Sequence, residues 1–153
     1  MKCYLFDIDG TIADLSHRLH HVAADLADNG ATKPKDWDAF YAACGDDKPI
    51  PHMVELLLTL FRAGSGVVYV SGRSDQCRND TVNWIMRHNL PVGPLYMRKY
   101  GDHRPDHLVK AALLDQILAD GYKPALVFDD RNQVVKMWRE RGIPCCQVAE
   151  GNY

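Results

Sequence analysis

Five short apolar runs without polar alternation punctuate the chain: Cys3-Tyr4-Leu5-Phe6, Gly66 to Ser71, Pro94 to Met97, Ala125 to Asp130, and Pro144 to Val148. A strand with one wet face alternates, so unbroken runs of this length read as strands buried on both faces. Between them apolar residues recur at helical spacing. Met53, Leu56, Leu57 and Leu60 are closed by Gly64, and Val82, Ile85 and Met86 by Asn89. Val109, Ala112, Leu113 and Ile117 are closed by Gly121, and Val134, Val135 and Trp138 by Gly142. Strands alternating with helices predict an α/β fold of Rossmann-like type, a parallel sheet of about five strands with helices on both faces.

From Ile12 to Asp47 the rhythm breaks, and the next strand core does not begin until Val67. Leu15, Leu19, Val22 and Leu26 recur at helical spacing ahead of Asn29-Gly30, and Trp37, Phe40 and Tyr41 predict a second short helix before Pro49-Ile50-Pro51. The pattern predicts a single domain over residues 1–153, with a small helical cap at about 12–47 over the carboxyl edge of the sheet. The cap aromatics either shape a pocket there or anchor the cap.

Composition narrows the class. The 153 residues are 46% apolar and 25% charged, with a net charge of -2. No apolar run approaches the roughly 20 residues that span a bilayer, so no membrane association is expected. Met1-Lys2 leads directly into the first strand without a leader pattern, which predicts a cytoplasmic protein. The five cysteines, Cys3, Cys44, Cys77, Cys145 and Cys146, show neither C-x-x-C nor zinc-ribbon spacing and read as reduced. Cys3, Cys145 and Cys146 fall in strand-like runs and are expected in the core. His17, His20 and His21 lack an acidic or cysteine partner at ligand spacing. The net charge gives no global footprint for nucleic acid, so any such contact must be local. Arg98, Lys99, Arg104 and His107 form one local basic stretch, either a backbone contact or a solvated loop.

The first run ends in Phe6-Asp7-Ile8-Asp9-Gly10-Thr11, with Gly10 freeing the chain to turn. In open α/β sheets ligands collect outside the carboxyl ends of strands, so paired acids there suit metal binding, nucleophilic attack or proton transfer. Capping of a following helix is the plainer alternative. Polar residues also end other runs: Ser71 the second, Asp129 and Asp130 the fourth, with Lys110 in the helix after the third.

Asp-x-Asp-Gly-Thr, a strand ending in Ser, a Lys, and a strand ending in Asp-Asp, in that order, resemble the four motifs of the haloacid dehalogenase superfamily. The resemblance is to its phosphatase branch and covers essentially the whole chain. Val68 to Arg73, Asp106-x-x-x-Lys110, Asp129 to Arg139 and Gln147-Val148-Ala149-x-Gly151 look like the phosphatase domain of phage polynucleotide kinase/phosphatase. Arg18 falls where that domain carries a functional arginine. The chain has no G-x-x-x-x-G-K-[ST] phosphate loop, so it resembles the phosphatase half alone.

This resemblance implies roles. Asp7 would attack phosphorus to give an aspartyl phosphate, and Asp9 would act as general acid and base, for which its pKa would have to be raised. Ser71 would donate to a phosphoryl oxygen and Lys110 would supply positive charge. Magnesium, which takes about six oxygens, would be held by Asp7, the Asp9 carbonyl and Asp130, with Asp129 bound to it or just behind. Thr11, Arg18, Gly72, Arg73 and Asp106 would contact substrate, although Arg18 and Arg73 could equally hold the groups that do. Asp106 and Lys110, four residues apart on one helix face, could also be a simple ion pair.

The implied substrate is the 3'-phosphate of a polynucleotide or nucleotide. A 5'(3')-deoxyribonucleotidase for small nucleoside monophosphates is the alternative. A catalytically idle module that binds phosphorylated ends is the rival from another class, and the cap insertion argues against a receiver domain. Expected partners are phosphorylated nucleic-acid ends or nucleotides. A separate kinase or ligase beside the chain, and its oligomeric state, stay open.

Overall fold

The computed structural model describes residues 1–23 and 34–152. Its elements are β1 (Lys2–Phe6), β2 (Ala13–Asp14), α1 (Trp37–Ala42), β3 (Lys48–Pro49), α2 (Pro51–Arg62) and β4 (Gly66–Ser74). They continue with α3 (Arg78–Arg87), β5 (Leu95–Arg98), α4 (Asp106–Ala119), β6 (Lys123–Asp129), α5 (Asn132–Glu140) and β7 (Cys145–Gln147). Five strands form one sheet in the order β5-β4-β1-β6-β7, every neighbour parallel.

The unalternating strand runs follow from a core on each face. Cys3, Leu5, Val68, Val70 and Val127 face Val109, Leu113 and Ile117 of α4 and Val134 and Trp138 of α5. Their strand neighbours Phe6, Val67, Tyr69 and Phe128 face Met53 and Leu57 of α2 and Trp84 and Ile85 of α3. Phe6 and Phe128 stack with ring centroids 4.7 Å apart, which fixes the central pair of strands at the end where Asp7 and Asp129 emerge. With both faces covered, polar side chains gather at the carboxyl edge.

Several expectations need correction. The helix expected from Leu15 onward is, over the described residues, a short 3-10 helix at Ser16–His21. Leu26 and Asn29-Gly30 lie outside the described residues. The apolar repeat there does not face a core, because Arg18 is fully buried while Leu19 is 41% exposed. Ser71 does not end its strand: β4 runs on to Ser74 with a register shift between Ser71 and Ser74. Cys3 is buried, but Cys145 is only partly covered and Cys146 is exposed, since β7 is an edge strand. All five cysteines are free thiols. Beyond the expectation, β2 and β3 pair antiparallel, Ala13 with Pro49 and Asp14 with Lys48, and pin the two ends of the 12–47 excursion together. Among the described residues no helix is long and apolar enough to cross a membrane.

Candidate active site

Asp7 leaves β1 with its N–H donated to the Phe128 carbonyl at 3.0 Å, so the sheet ladder fixes its backbone. The chain then turns sharply. Thr11, Ile12 and Ala13 all donate backbone N–H groups to the Ile8 carbonyl, and Gly10 adopts a φ of 79° that a side chain would resist. This turn returns Thr11 Oγ1 to Asp7 Oδ2 at 3.0 Å. Thr11, expected at substrate, therefore orients a carboxylate.

Lys110 reaches in from α4. Its Nζ lies 2.8 Å from Asp7 Oδ1, 2.9 Å from Asp129 Oδ2 and 3.7 Å from Asp106 Oδ2. Burial opposes its charge, yet Asp129, Asp7 and Asp106 together raise its pKa well above the ordinary lysine value, so it stays protonated. Asp129 also accepts from Trp138 Nε1 at 3.1 Å, which ties it to α5. Gly151 backs the next residue closely: a Cβ there would collide with the Asp130 carbonyl. Gln147 donates to that same carbonyl at 2.9 Å.

Asp7, Asp129 and Asp130, all buried, each offer a carboxylate oxygen within 4.8 Å of the others. An all-oxygen set of carboxylates suits a hard divalent cation such as magnesium rather than a metal wanting nitrogen or sulfur. The electrostatics agree with that fit. Burial raises the Asp7 carboxyl well above its ordinary range, Lys110 pulls it down, and Asp129 and Asp130 push it up again. A bound cation would reverse this shift. The Asp9 side chain is not part of this group.

Asp9 belongs to a second cluster. Arg18 Nη2 at 2.6 Å, and Arg73 Nε and Nη2 at 2.9 and 2.6 Å, all donate to Asp9 Oδ1. Burial alone would raise this carboxyl, but Arg73 and then Arg18 more than offset it and hold the pKa below the ordinary value. The raised value expected of a general acid is not what these surroundings give. Both arginines are buried, and both are also held by Asp47. Thus the structure places Arg18 and Arg73 on the acid beside the cleft. Arg18 further stacks on the Phe40 ring at 4.2 Å, and Arg73 Nη1 donates to Thr81 Oγ1 at 3.1 Å.

Asp47 is a functional residue that the sequence does not announce. It lies where the excursion rejoins the sheet domain, and no local motif marks it out beside Asp46. The only signal was a buried acid needed by two arginines, visible once their burial is known. His17 also finds it, with Nε2 at 2.8 Å from Asp47 Oδ1.

Ser71 is buried, and its Oγ accepts the Arg73 N–H at 3.1 Å. Gly72 is tightly backed, because a Cβ on it would run into Asp106 Oδ1. Asp106 in turn meets Arg98 Nη2 at 3.3 Å and Arg131 Nη1 at 3.6 Å as well as Lys110.

Asp7, Asp9, Gly72, Arg73, Asp106, Lys110 and Asp130 open onto a cleft of about 440 Å³. Leu15, Leu19, Trp37 and Tyr41 give the cleft an apolar lining, and the segment from Arg98 to Pro105 also lines it. Trp37 and Tyr41 are stacked, centroids 6.0 Å apart, and Trp37 is 46% exposed. In the basic stretch, Arg98 is held by the Gly72, Asp102 and Arg104 carbonyls and Arg104 by Asp102 at 2.8 Å, while Lys99 and His103 also line the cleft.

Comparison with known proteins follows the same lines. The family model of the polynucleotide kinase PNKP phosphatase domain matches residues 25–153. A protein of Autographa californica nuclear polyhedrosis virus described as "Putative bifunctional polynucleotide kinase/RNA ligase" is 38% identical over 79 residues, which is 51% of this chain and 11% of that protein. Among solved structures, a chain of the Pnkp1/Rnl/Hen1 RNA repair complex superposes with a TM-score of 0.82 at 27% identity, covering 99% of this chain and 43% of that one. The class C acid phosphatase of Bacillus anthracis shares the fold, with a TM-score of 0.68 at 15% identity, covering 99% of this chain and 67% of that one. The chain thus spans less than half of the repair-complex chain it matches.

Proposed function

Because the chain belongs to the family of PNKP phosphatase domains within the haloacid dehalogenase superfamily, and is a phosphomonoester hydrolase, we propose that it is a magnesium-dependent phosphatase that removes 3'-phosphates from polynucleotide ends. The observation that carries this reading is the placement of Asp7 beside Lys110 and the carboxylates of Asp129 and Asp130, lining a cleft that Trp37 and Tyr41 also line.

A phosphate monoester repels nucleophiles, so its hydrolysis depends on charge neutralisation and positioning. Asp7 Oδ attacks phosphorus, the bond from phosphorus to the leaving sugar oxygen breaks, and an aspartyl phosphate forms. Lys110 and Thr11 hold the Asp7 carboxylate, and Ser71 and the backbone at Gly72 meet the phosphoryl oxygens. Asp9 gives its proton to the leaving oxygen, then takes one from the water that releases inorganic phosphate. The approaching phosphoryl group offsets the two guanidinium charges that otherwise keep Asp9 ionised. Magnesium on Asp7, Asp130 and the Asp9 carbonyl, with Asp129 beside it, would screen the repulsion between carboxylate and phosphate. Asp106 keeps Lys110 in place.

We read the 12–47 excursion as the small cap and the whole chain as one domain. Leu19, Trp37 and Tyr41 give the cleft an aromatic and apolar lining against which a base can pack without sequence preference. A kinase or ligase working beside the chain is consistent with the kinase and ligase joined in the viral relative and with the RNA repair complex that holds the structural neighbour.

The test is magnesium-dependent phosphate release from matched oligonucleotides bearing a 3'- or a 5'-phosphate, alongside the 3'- and 5'-mononucleotides. The reading expects the 3'-phosphorylated oligonucleotide to be the best substrate. Activity confined to mononucleotides would make this a nucleotidase, and tight binding of ends with no release would make it a recognition module.

A further inference from the structure

Asp47 is the point on which the second cluster closes. Its side chain is fully buried, and its two oxygens receive Arg18 Nε, Arg18 Nη2 and Arg73 Nη2, each at 2.7 Å. His17 Nε2 lies 2.8 Å from the first of those oxygens. Its carbonyl accepts Trp84 Nε1 at 2.7 Å, so its backbone is fastened to α3 beneath the excursion.

The same nitrogens serve both acids. Arg18 Nη2 stands 2.7 Å from Asp47 Oδ2 and 2.6 Å from Asp9 Oδ1, and Arg73 Nη2 stands 2.7 and 2.6 Å from the same two oxygens. Two guanidinium forks are therefore trapped between two carboxylates, and neither can turn without leaving one of them. Among the described residues every side-chain donor to Asp9 lands on Oδ1. Asp9 is 20% exposed at its side chain, toward the cleft.

We infer that Asp47 is a positioning residue for proton transfer: acting through Arg18 and Arg73, it fixes the Asp9 carboxylate by one oxygen and leaves the other to face the leaving group. The inference rests on the reading of Asp9 as general acid and base. It accounts for two buried arginines and a buried acid that the attack on phosphorus does not use. It also ties that acid to the place where the excursion rejoins the sheet domain.

An asparagine at 47 has nearly the same shape but only one acceptor oxygen, and its amide N–H groups would face guanidinium donors. At least one arginine must then swing away and release Asp9. Such a loss harms substrates that need a proton on the leaving oxygen and largely spares those that do not. The ratio of turnover for an aryl phosphate to that for a 3'-phosphorylated oligonucleotide reads this directly. Both rates come from the same preparation, so the folded fraction cancels.

Wild type, Asp47→Asn, Asp47→Glu and Asp9→Asn would be compared with p-nitrophenyl phosphate and the oligonucleotide, kcat and KM being measured for each. In Asp47→Asn the ratio should rise by about tenfold or more, toward that of Asp9→Asn, with the change in kcat. Asp47→Glu keeps the charge but moves it by one methylene, and should shift the ratio in the same direction; it carries the test if the asparagine variant does not fold. A wild-type ratio in both Asp47 variants, with a raised ratio in Asp9→Asn, overturns the positioning role alone. A wild-type ratio in Asp9→Asn shows that Asp9 is not the acid and takes the inference with it.

Discussion

Asp7 and Asp9 stand two residues apart on one turn, yet their surroundings act on them in opposite senses. Asp7 is pushed toward protonation, by burial first and then by Asp129 and Asp130, with Lys110 opposing. Asp9 experiences burial too, but Arg73 and Arg18 hold it ionised. The first cluster brings three buried carboxylates and a lysine together, a set that could hold a divalent cation. The second is already matched, two guanidinium groups against two carboxylates, and its business is orientation. A general acid is ordinarily the member of such a pair with the raised proton affinity, so the proposed roles need both shifts reversed, by a cation at Asp7 and by the phosphoryl group beside Asp9.

The sharpest way to break this division is to remove the nucleophile. Asp7→Asn should lower turnover by on the order of 10⁴-fold or more while the thermal unfolding profile stays cooperative. Robust turnover in that variant, measured as phosphate release, would remove the covalent route. Chelation should likewise silence the wild type, and magnesium at about 100 times its dissociation constant should restore activity and add about 2.7 kcal/mol of stability. Equal melting temperatures with and without the ion would argue against a site at Asp7, Asp129 and Asp130.

Ser71→Ala should cost about 100-fold in kcat, the loss typical of one donor to a developing oxyanion. Gly72→Ala should be milder, up to about 100-fold, since its Cβ must displace Asp106 from beside Lys110 rather than delete a group. Steady-state kinetics on both variants would rank them.

The smallest effects lie in the pH dependence of stability without metal. A group with a raised folded pKa stabilises most below its unfolded value and loses that contribution as pH rises. The advantage of wild type over Asp7→Asn should therefore be largest in acid and shrink toward neutral pH. Asp9 has the opposite sign: its contribution is full above about pH 4 and is lost as pH falls further. Denaturant unfolding from about pH 3 to about pH 8 would show the two trends crossing, and parallel trends would dissolve the contrast.

The two clusters also differ in how legible they were. Asp7, Ser71, Asp129 and Asp130 sit on or beside strands whose apolar runs announce themselves, and Lys110 sits on a helix with a clear apolar spacing, so a sheet with polar edge residues could be read from periodicity. The second cluster could not. Arg18 and Asp47 are 29 residues apart, Asp47 and Arg73 are 26 apart, and their meeting depends on how the excursion folds back. There the apolar spacing of Leu15, Leu19 and Val22 misleads, because those side chains line a cleft while an arginine takes the interior. The β2–β3 pair that closes the excursion is two residues per strand, too short for any period to show.

The most direct test of the division is to follow the phosphoryl group itself. A 3'-phosphorylated oligonucleotide carrying radiolabel in that phosphate would be mixed with wild type, Asp7→Asn and Asp9→Asn in magnesium, quenched in acid, and the label sought on the peptide containing Asp7. The account predicts label on Asp7 in wild type, label that forms more slowly in Asp9→Asn, where no acid protonates the leaving oxygen, and none in Asp7→Asn. Rapid phosphate release with no label on that peptide in any of the three would contradict it.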